Sequence, residues 1–172
     1  MQNLKLKTKK FNKGFTLIEL LIVIAIIGVL ATLLMVNFVG VRQRARDAQR
    51  KSDLRQIQSA LEIYRSDNSS YPNGTSSVAE LFTCPPQPSP AACTGSANCF
   101  GNSTCSTIYM KSVPTDPSGG GYDGGNYYYQ SSGSTYTLEA CLENSGDSQG
   151  ASTNPSGITG CSSGKYYVLN NP

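Results

Sequence analysis

Glu19 is the single charged side chain in twenty-two residues from Phe15 to Val36, which read FTLIELLIVIAIIGVLATLLMV. A carboxylate in such surroundings acts by pairing, because ionisable groups inside apolar helices are rare and normally meet a partner. The other reactive side chains are six cysteines, Cys84, Cys93, Cys99, Cys105, Cys141 and Cys161, all C-terminal to that run. The chain has no His and no Trp, which removes Ser-His-Asp, Cys-His and His-ligated zinc or haem chemistry. Glu, Asp and Lys remain, but nothing at an informative spacing pairs them. The sequence reads as a non-enzyme with no cofactor.

The element that must position Glu19 is the apolar run itself. Twenty-two residues at about 1.5 Å each give roughly 33 Å of helix, enough to cross a hydrocarbon core of about 30 Å. A secretory signal has an apolar stretch of only about 7–15 residues and then a small-residue cleavage site, and neither feature fits. Five lysines precede the run, and Arg42, Arg44, Arg46, Arg50 and Lys51 follow it, so loop charge alone does not orient the span. The even set of cysteines beyond it points to disulfides and an oxidising compartment. The N-terminus is therefore expected in the cytoplasm.

Charge divides the chain in three. Residues 1–14 carry five Lys and no acid, residues 15–66 seven basic and four acidic residues, and residues 67–172 two Lys against seven acids. The net charge of +3 averages a basic head, an apolar rod and an acidic body.

The stretch Lys13-Gly14-Phe15-Thr16-Leu17-Ile18-Glu19, after a basic leader and before an apolar helix, resembles the prepilin signature of type IV pilins and type II secretion pseudopilins. The resemblance covers about residues 8–66. It implies that a membrane aspartyl peptidase cuts after Gly14 on the cytoplasmic face and that Phe15, the new N-terminal residue, is N-methylated. Glu19 becomes the fifth mature residue, the position that the family uses for subunit assembly. Cleavage removes the lysines and exposes a cationic amine at Phe15, which a neighbour's carboxylate can approach in a stack of such rods. Family members often carry Pro at mature position twenty-two, where this chain has Val36, so helix melting there is not carried over.

Beyond Val41 the pattern stays helical. Val41, Ala45 and Ala48, then Leu54, Ile57, Leu61 and Tyr64, form an amphipathic stripe, with Asp47 and Lys51 as an i,i+4 pair. The helix is expected to stop near Ser66, a span of about 78 Å from Phe15. The basic cluster RQRARDAQRKSDLR could suit a DNA groove, but no leucine heptads follow it. Anionic headgroups or a solvated face explain it better than nucleic acid does.

Residues 67–110 read as a loop region, with a Tyr71-Pro72-Asn73-Gly74 turn and a proline-rich stretch at 84–90. Cys84, Cys93, Cys99 and Cys105 lie in that region without any C-x-x-C, so disulfides fit better than zinc. Six cysteines allow about 15 pairings. The preferred split is two bridges within this loop plus Cys141–Cys161. Strand signals fall at 126–130, 135–142 and 165–169, with Ser131-Ser132-Gly133-Ser134 as a hairpin connection. Val113-Pro114-Thr115-Asp116-Pro117 and the glycines after it are similar to the loop before the sheet in major pseudopilins. That resemblance implies calcium on Asp116 and Asp123, although a plain turn is the favoured reading of the residues.

The expected fold is α+β and pilin-like: a long N-terminal helix, transmembrane in its first half, packed on a small antiparallel sheet. The expected segments are a leader (1–14), a transmembrane half-helix (15–36), an amphipathic half-helix (37–66), a Cys/Pro/Gly-rich loop region (67–125) and a sheet with C-terminal loop (126–172). The leading functional reading is a structural subunit of a type IV pilus-like filament; the alternative is a major-pseudopilin-like subunit of a type II secretion system. Implied partners are further copies of the chain in a homo-oligomeric filament, membrane lipid, the prepilin peptidase, an assembly platform, a motor ATPase and minor pilins. The precursor is expected in the inner membrane as a single-pass protein, and the filament at the cell surface or in the periplasm.

Overall fold

The computed structural model describes residues 14–78, 99–102, 106–119, 122, 125–154 and 161–171. Two compact units divide the chain between Val39 and Gly40, and each is taken by itself. One helix, α1, runs from Leu17–Asn68. It passes Val36 without a break, as the absence of Pro there leads one to expect. It starts and ends two residues later than the sequence pattern suggests.

In the N-terminal unit the window Leu17–Met35 has a mean hydropathy of 2.9 and, among the described residues, is 0% buried. A helix that is apolar all round and covered by nothing of its own needs an apolar surrounding. Its length and composition suit a membrane crossing.

The second unit is built on the remainder of α1. The helix stops at Asn68 because Ser69 turns into the left-handed region, at φ 60°, while its N–H still reaches the Arg65 carbonyl at 2.8 Å. The Asn68 side chain donates to the Tyr64 carbonyl at 2.9 Å and closes the last turn. A four-stranded antiparallel sheet follows, in the order β1 (Gly74–Ser77), β4 (Tyr128–Ser131), β5 (Tyr136–Cys141), β6 (Tyr166–Asn170). Two short strands, β2 (Phe100–Gly101) and β3 (Ile108–Met110), pair separately.

The fold is the α+β arrangement that the sequence led us to expect, with three late strands within two residues of their expected bounds. The described residues of 67–110 include three short strands that their composition does not suggest. Gly74–Ser77 supplies an edge strand that pairs with β4 from Gly74↔Ser131 to Ser77↔Tyr128. Its residues are small and polar, so backbone hydrogen bonds rather than an apolar face specify it. The β4–β5 hairpin turns at Gly133, where φ is 88° and an added Cβ would lie 2.8 Å from the Asn73 side chain. The Gly133 carbonyl also accepts the Tyr71 N–H at 2.8 Å, so a glycine there serves both the turn and the close approach.

The core joins Leu54, Ile57, Ala60 and Leu61 of α1 to Leu138, Ala140 and Leu142, with Val78, Phe100, Val113 and several tyrosines completing it. Buried tyrosine rings normally place their hydroxyls on acceptors, and four of them do so here. Tyr127 donates to Asp53 at 2.7 Å, Tyr129 to the Pro72 carbonyl at 2.8 Å, and Tyr71 and Tyr136 to Glu62 at 3.0 and 3.2 Å. The expected stripe is right from Leu54 onward and wrong before it. Val41, Ala45 and Ala48 are exposed, and the inward positions of that stretch are Asp47 and Arg50. The helical phase is unchanged, but polar bonding replaces apolar contact on that face.

Cys141 and Cys161 form a disulfide, as expected, across a sequence separation of 20 residues. Cys99 is disulfide-bonded as well. Cys84, Cys93 and Cys105 lie outside the described residues. A loop of this size closed by a bridge is worth about 2–4 kcal/mol, mainly by restricting the unfolded chain. Replacing Cys141 and Cys161 together by Ser should therefore lower the unfolding free energy by that amount, read as a lower urea midpoint, and an unchanged midpoint would show that the bridge contributes nothing.

Candidate processing and assembly site

Gly14 and Phe15 precede the helix, so the peptide bond between them is free of the helical ladder. Phe15 is exposed, and a Cβ added at Gly14 would meet nothing within 4 Å. Among the described residues, nothing in the packing requires glycine there.

Thr16 and Glu19 are bonded to each other. The Thr16 N–H donates to Glu19 Oε2 at 2.9 Å, the Thr16 hydroxyl to the same oxygen at 2.7 Å, and the Glu19 N–H to Thr16 Oγ1 at 3.3 Å. This is a capping box, which satisfies N–H groups left open at a helix start. Its signal, Thr-x-x-Glu before an apolar run, is present in the sequence, but only the membrane and assembly roles of Glu19 are drawn from it above. The box holds the carboxylate at the first turn, close to the chain position where cleavage would create an amine. Residues 1–13 lie outside the described residues.

In the second unit, α1 presents a row of charged groups to two loops. Arg50 is nearly inaccessible and forks onto Asp116, Nε to Oδ2 at 2.6 Å and Nη2 to Oδ1 at 2.8 Å. Its other bonds go to Asp47 at 2.6 Å, Glu143 at 2.7 Å and the Ser118 hydroxyl at 2.8 Å. Asp47 in turn accepts the N–H groups of Glu143 and Asn144, both at 2.9 Å. Arg46 pairs with Glu143, and Lys51 with Asp147 at 2.7 Å. Three members of the basic cluster thus hold the chain's own acidic loops. Asp47 and Lys51, expected to pair along the helix, instead take separate partners.

The calcium role that the family resemblance implies does not suit the surroundings of Asp116, where a plain turn is the favoured reading. Both of its oxygens lie against the Arg50 guanidinium, and Oδ1 also accepts the Ser118 N–H and hydroxyl at 2.8 and 2.6 Å. A divalent cation on those oxygens would sit beside a fixed positive charge. Asp123 lies outside the described residues, and among the described residues no three His, Cys, Asp or Glu side chains are grouped to hold a metal.

The ion pairs set an acid sensitivity. The Arg46 guanidinium, followed by Arg50, holds Glu143 down to about 2 from the usual 4.5 against the effect of its partial burial. Burial pushes Asp116 up, but bonds from Arg50 and Ser118 outweigh it and leave that carboxyl below its ordinary value. Lys51 lowers Asp147. Asp53 moves the other way, raised by burial although the Tyr127 hydroxyl donates to it. Between pH 4.5 and about 2 the unfolded chain binds a proton at position 143 that the folded chain refuses, so stability falls as the pH drops through that window. Thermal melts across it should show a falling midpoint, with a shallower fall in Glu143→Gln. A flat wild-type profile would remove these pairs from the stability of the fold.

Comparisons with known proteins agree with this division of the chain. Residues 9–35 match the family described as a prokaryotic N-terminal methylation motif, and residues 37–160 match the family described as type II secretion system (T2SS), protein G. A relative from Vibrio cholerae, named type II secretion system core protein G, is 31% identical over 150 residues, which is 83% of this chain and 92% of that protein. The protein of the same name from Escherichia coli K12 is 36% identical over 111 residues, 64% of this chain and 70% of its own length. No solved structure gives a significant match to the chain. Of the two functional readings that the sequence left in competition, these findings favour the secretion subunit over the pilus subunit. The chain belongs to the type II secretion system protein G family of pseudopilins.

Proposed function

We propose that this protein is a pseudopilin of a type II secretion system, made as a membrane-inserted precursor, cut between Gly14 and Phe15, N-methylated at Phe15 and assembled into a short filament. One observation carries this reading: a single chain joins the methylation motif at 9–35 to a protein G body at 37–160. An apolar helix with no internal cover can leave the bilayer only into another apolar surrounding, and a bundle of identical helices supplies one. Glu19, already fixed at the first turn by Thr16, then meets the Phe15 amine of a neighbouring copy. Peptidase, assembly platform, motor ATPase and minor subunits act on the chain as separate proteins. Arg46, Arg50 and Lys51 of the basic cluster are engaged by the body's own acids, which takes these three from any nucleic-acid role.

Deleting the gene tests the secretion reading against the pilus reading. Loss of exported folded enzymes from the culture medium, with surface fibres and surface motility unchanged, is the expected outcome. Intact export together with lost fibres would return the assignment to a pilus.

A further inference from the structure

The misfit between Asp116 and a calcium role has a structural cause. Arg50 lies where α1, the 116–118 turn and the 143–144 segment meet, and it bonds to a carboxylate or hydroxyl from each. Cross-linking carboxylates from separate loops is the work that a bound divalent cation performs in a protein. A guanidinium performs it differently, with a planar fork of donors on a covalent tether that needs no ligand from solution. We propose that Arg50 replaces a loop-bound divalent cation in this chain, so that its two acidic loops are fastened to α1 independently of calcium.

Three further features fit that assignment. Asp47, which bonds to Arg50, also receives the N–H groups of Glu143 and Asn144, so the helix holds that loop by its backbone as well as by charge. The Asp116 oxygen that Arg50 binds through Nη2 also takes the Ser118 N–H. Lys51 fastens the far end of the second loop through Asp147. The loop acids at 116, 143 and 147 are each engaged by a cation of α1.

The amides of Ser118, Glu143 and Asn144 report directly on this arrangement, since each donates to a carboxylate bonded to Arg50. Hydrogen exchange on the full chain in detergent, with EDTA and then with millimolar calcium, should give the same protection at these three amides in the wild type. In Arg50→Met their exchange should speed up by about tenfold or more relative to the β4–β5 ladder amides, whose opening is a separate event. Calcium-dependent protection in the wild type would overturn the proposal, as would unchanged protection in Arg50→Met. Should that variant yield no folded protein, the wild-type pair of measurements decides the point alone.

Discussion

Replacing Glu19 by Gln is expected to give a protein that inserts, is trimmed and is methylated, yet forms almost no filament. Gln can keep the capping box, because its amide oxygen can accept from Thr16 as the carboxylate does. What it loses is the charge that would meet a neighbour's N-terminal amine. At about 4 Å two unit charges attract strongly at the intermediate dielectric of a protein interface, and a neutral amide forfeits most of that attraction. Filament recovered after shearing should fall by at least about tenfold, since one pair is lost at every subunit contact. The opposite variant separates the two roles: Thr16→Val removes the hydroxyl from the box but keeps the carboxylate, and its filaments should persist. Normal fibres from Glu19→Gln would mean that the carboxylate serves only the helix start, and the assembly role would be withdrawn.

Arg50→Met is expected to be the most damaging single change in the body. The substitution keeps a long apolar stem, so packing is largely conserved, but it leaves Asp47, Asp116 and Glu143 facing one another without their shared cation. Removing one partner of a buried ion pair costs about 3–5 kcal/mol, because the remaining charge stays desolvated. For a body of this size that corresponds to a fall in melting midpoint of about 10 °C or more. Arg50→Lys should recover only part of the loss, since one ammonium cannot reproduce a fork onto Asp116 together with bonds to two other carboxylates. A combined Asp47→Asn, Arg50→Met, Asp116→Asn variant should be more stable than Arg50→Met alone, as expected for coupled groups. A single variant that melts with the wild type would show that the cluster is decorative.

These two sites differ in how far the sequence reveals them. The apolar run, its lone acid and the residues before it are contiguous, so the long apolar helix and the methylation motif are legible in a short stretch, and the proposed cleavage point and assembly carboxylate are read from the same residues. The late strands are legible because Tyr, Thr, Val and Leu gather between glycine- and serine-rich turns. Gly74–Ser77 is not, because its four residues carry no apolar alternation to mark a strand. The ion cluster is invisible to local patterning, since Arg50 lies 66 residues from Asp116 and 93 from Glu143. One global signal pointed toward it: a helix rich in arginine belongs to the same chain as a body with seven acids and two lysines. Reading the basic cluster against the acidic body, rather than against lipid or solvent, would have suggested internal pairing. The choice between pilus and secretion subunit was beyond the helix altogether, because both readings share it; the match over 37–160 provides the distinction.

The account depends on a new N-terminus being made. Intact-mass and peptide mass spectrometry of the chain recovered from cells tests this most directly. A mature protein that begins at Phe15, carries one added methyl group on that residue and has lost everything through Gly14 is the predicted result. Recovery of only the uncut chain, with Met1 and the lysine-rich leader still attached to assembled material, would contradict it.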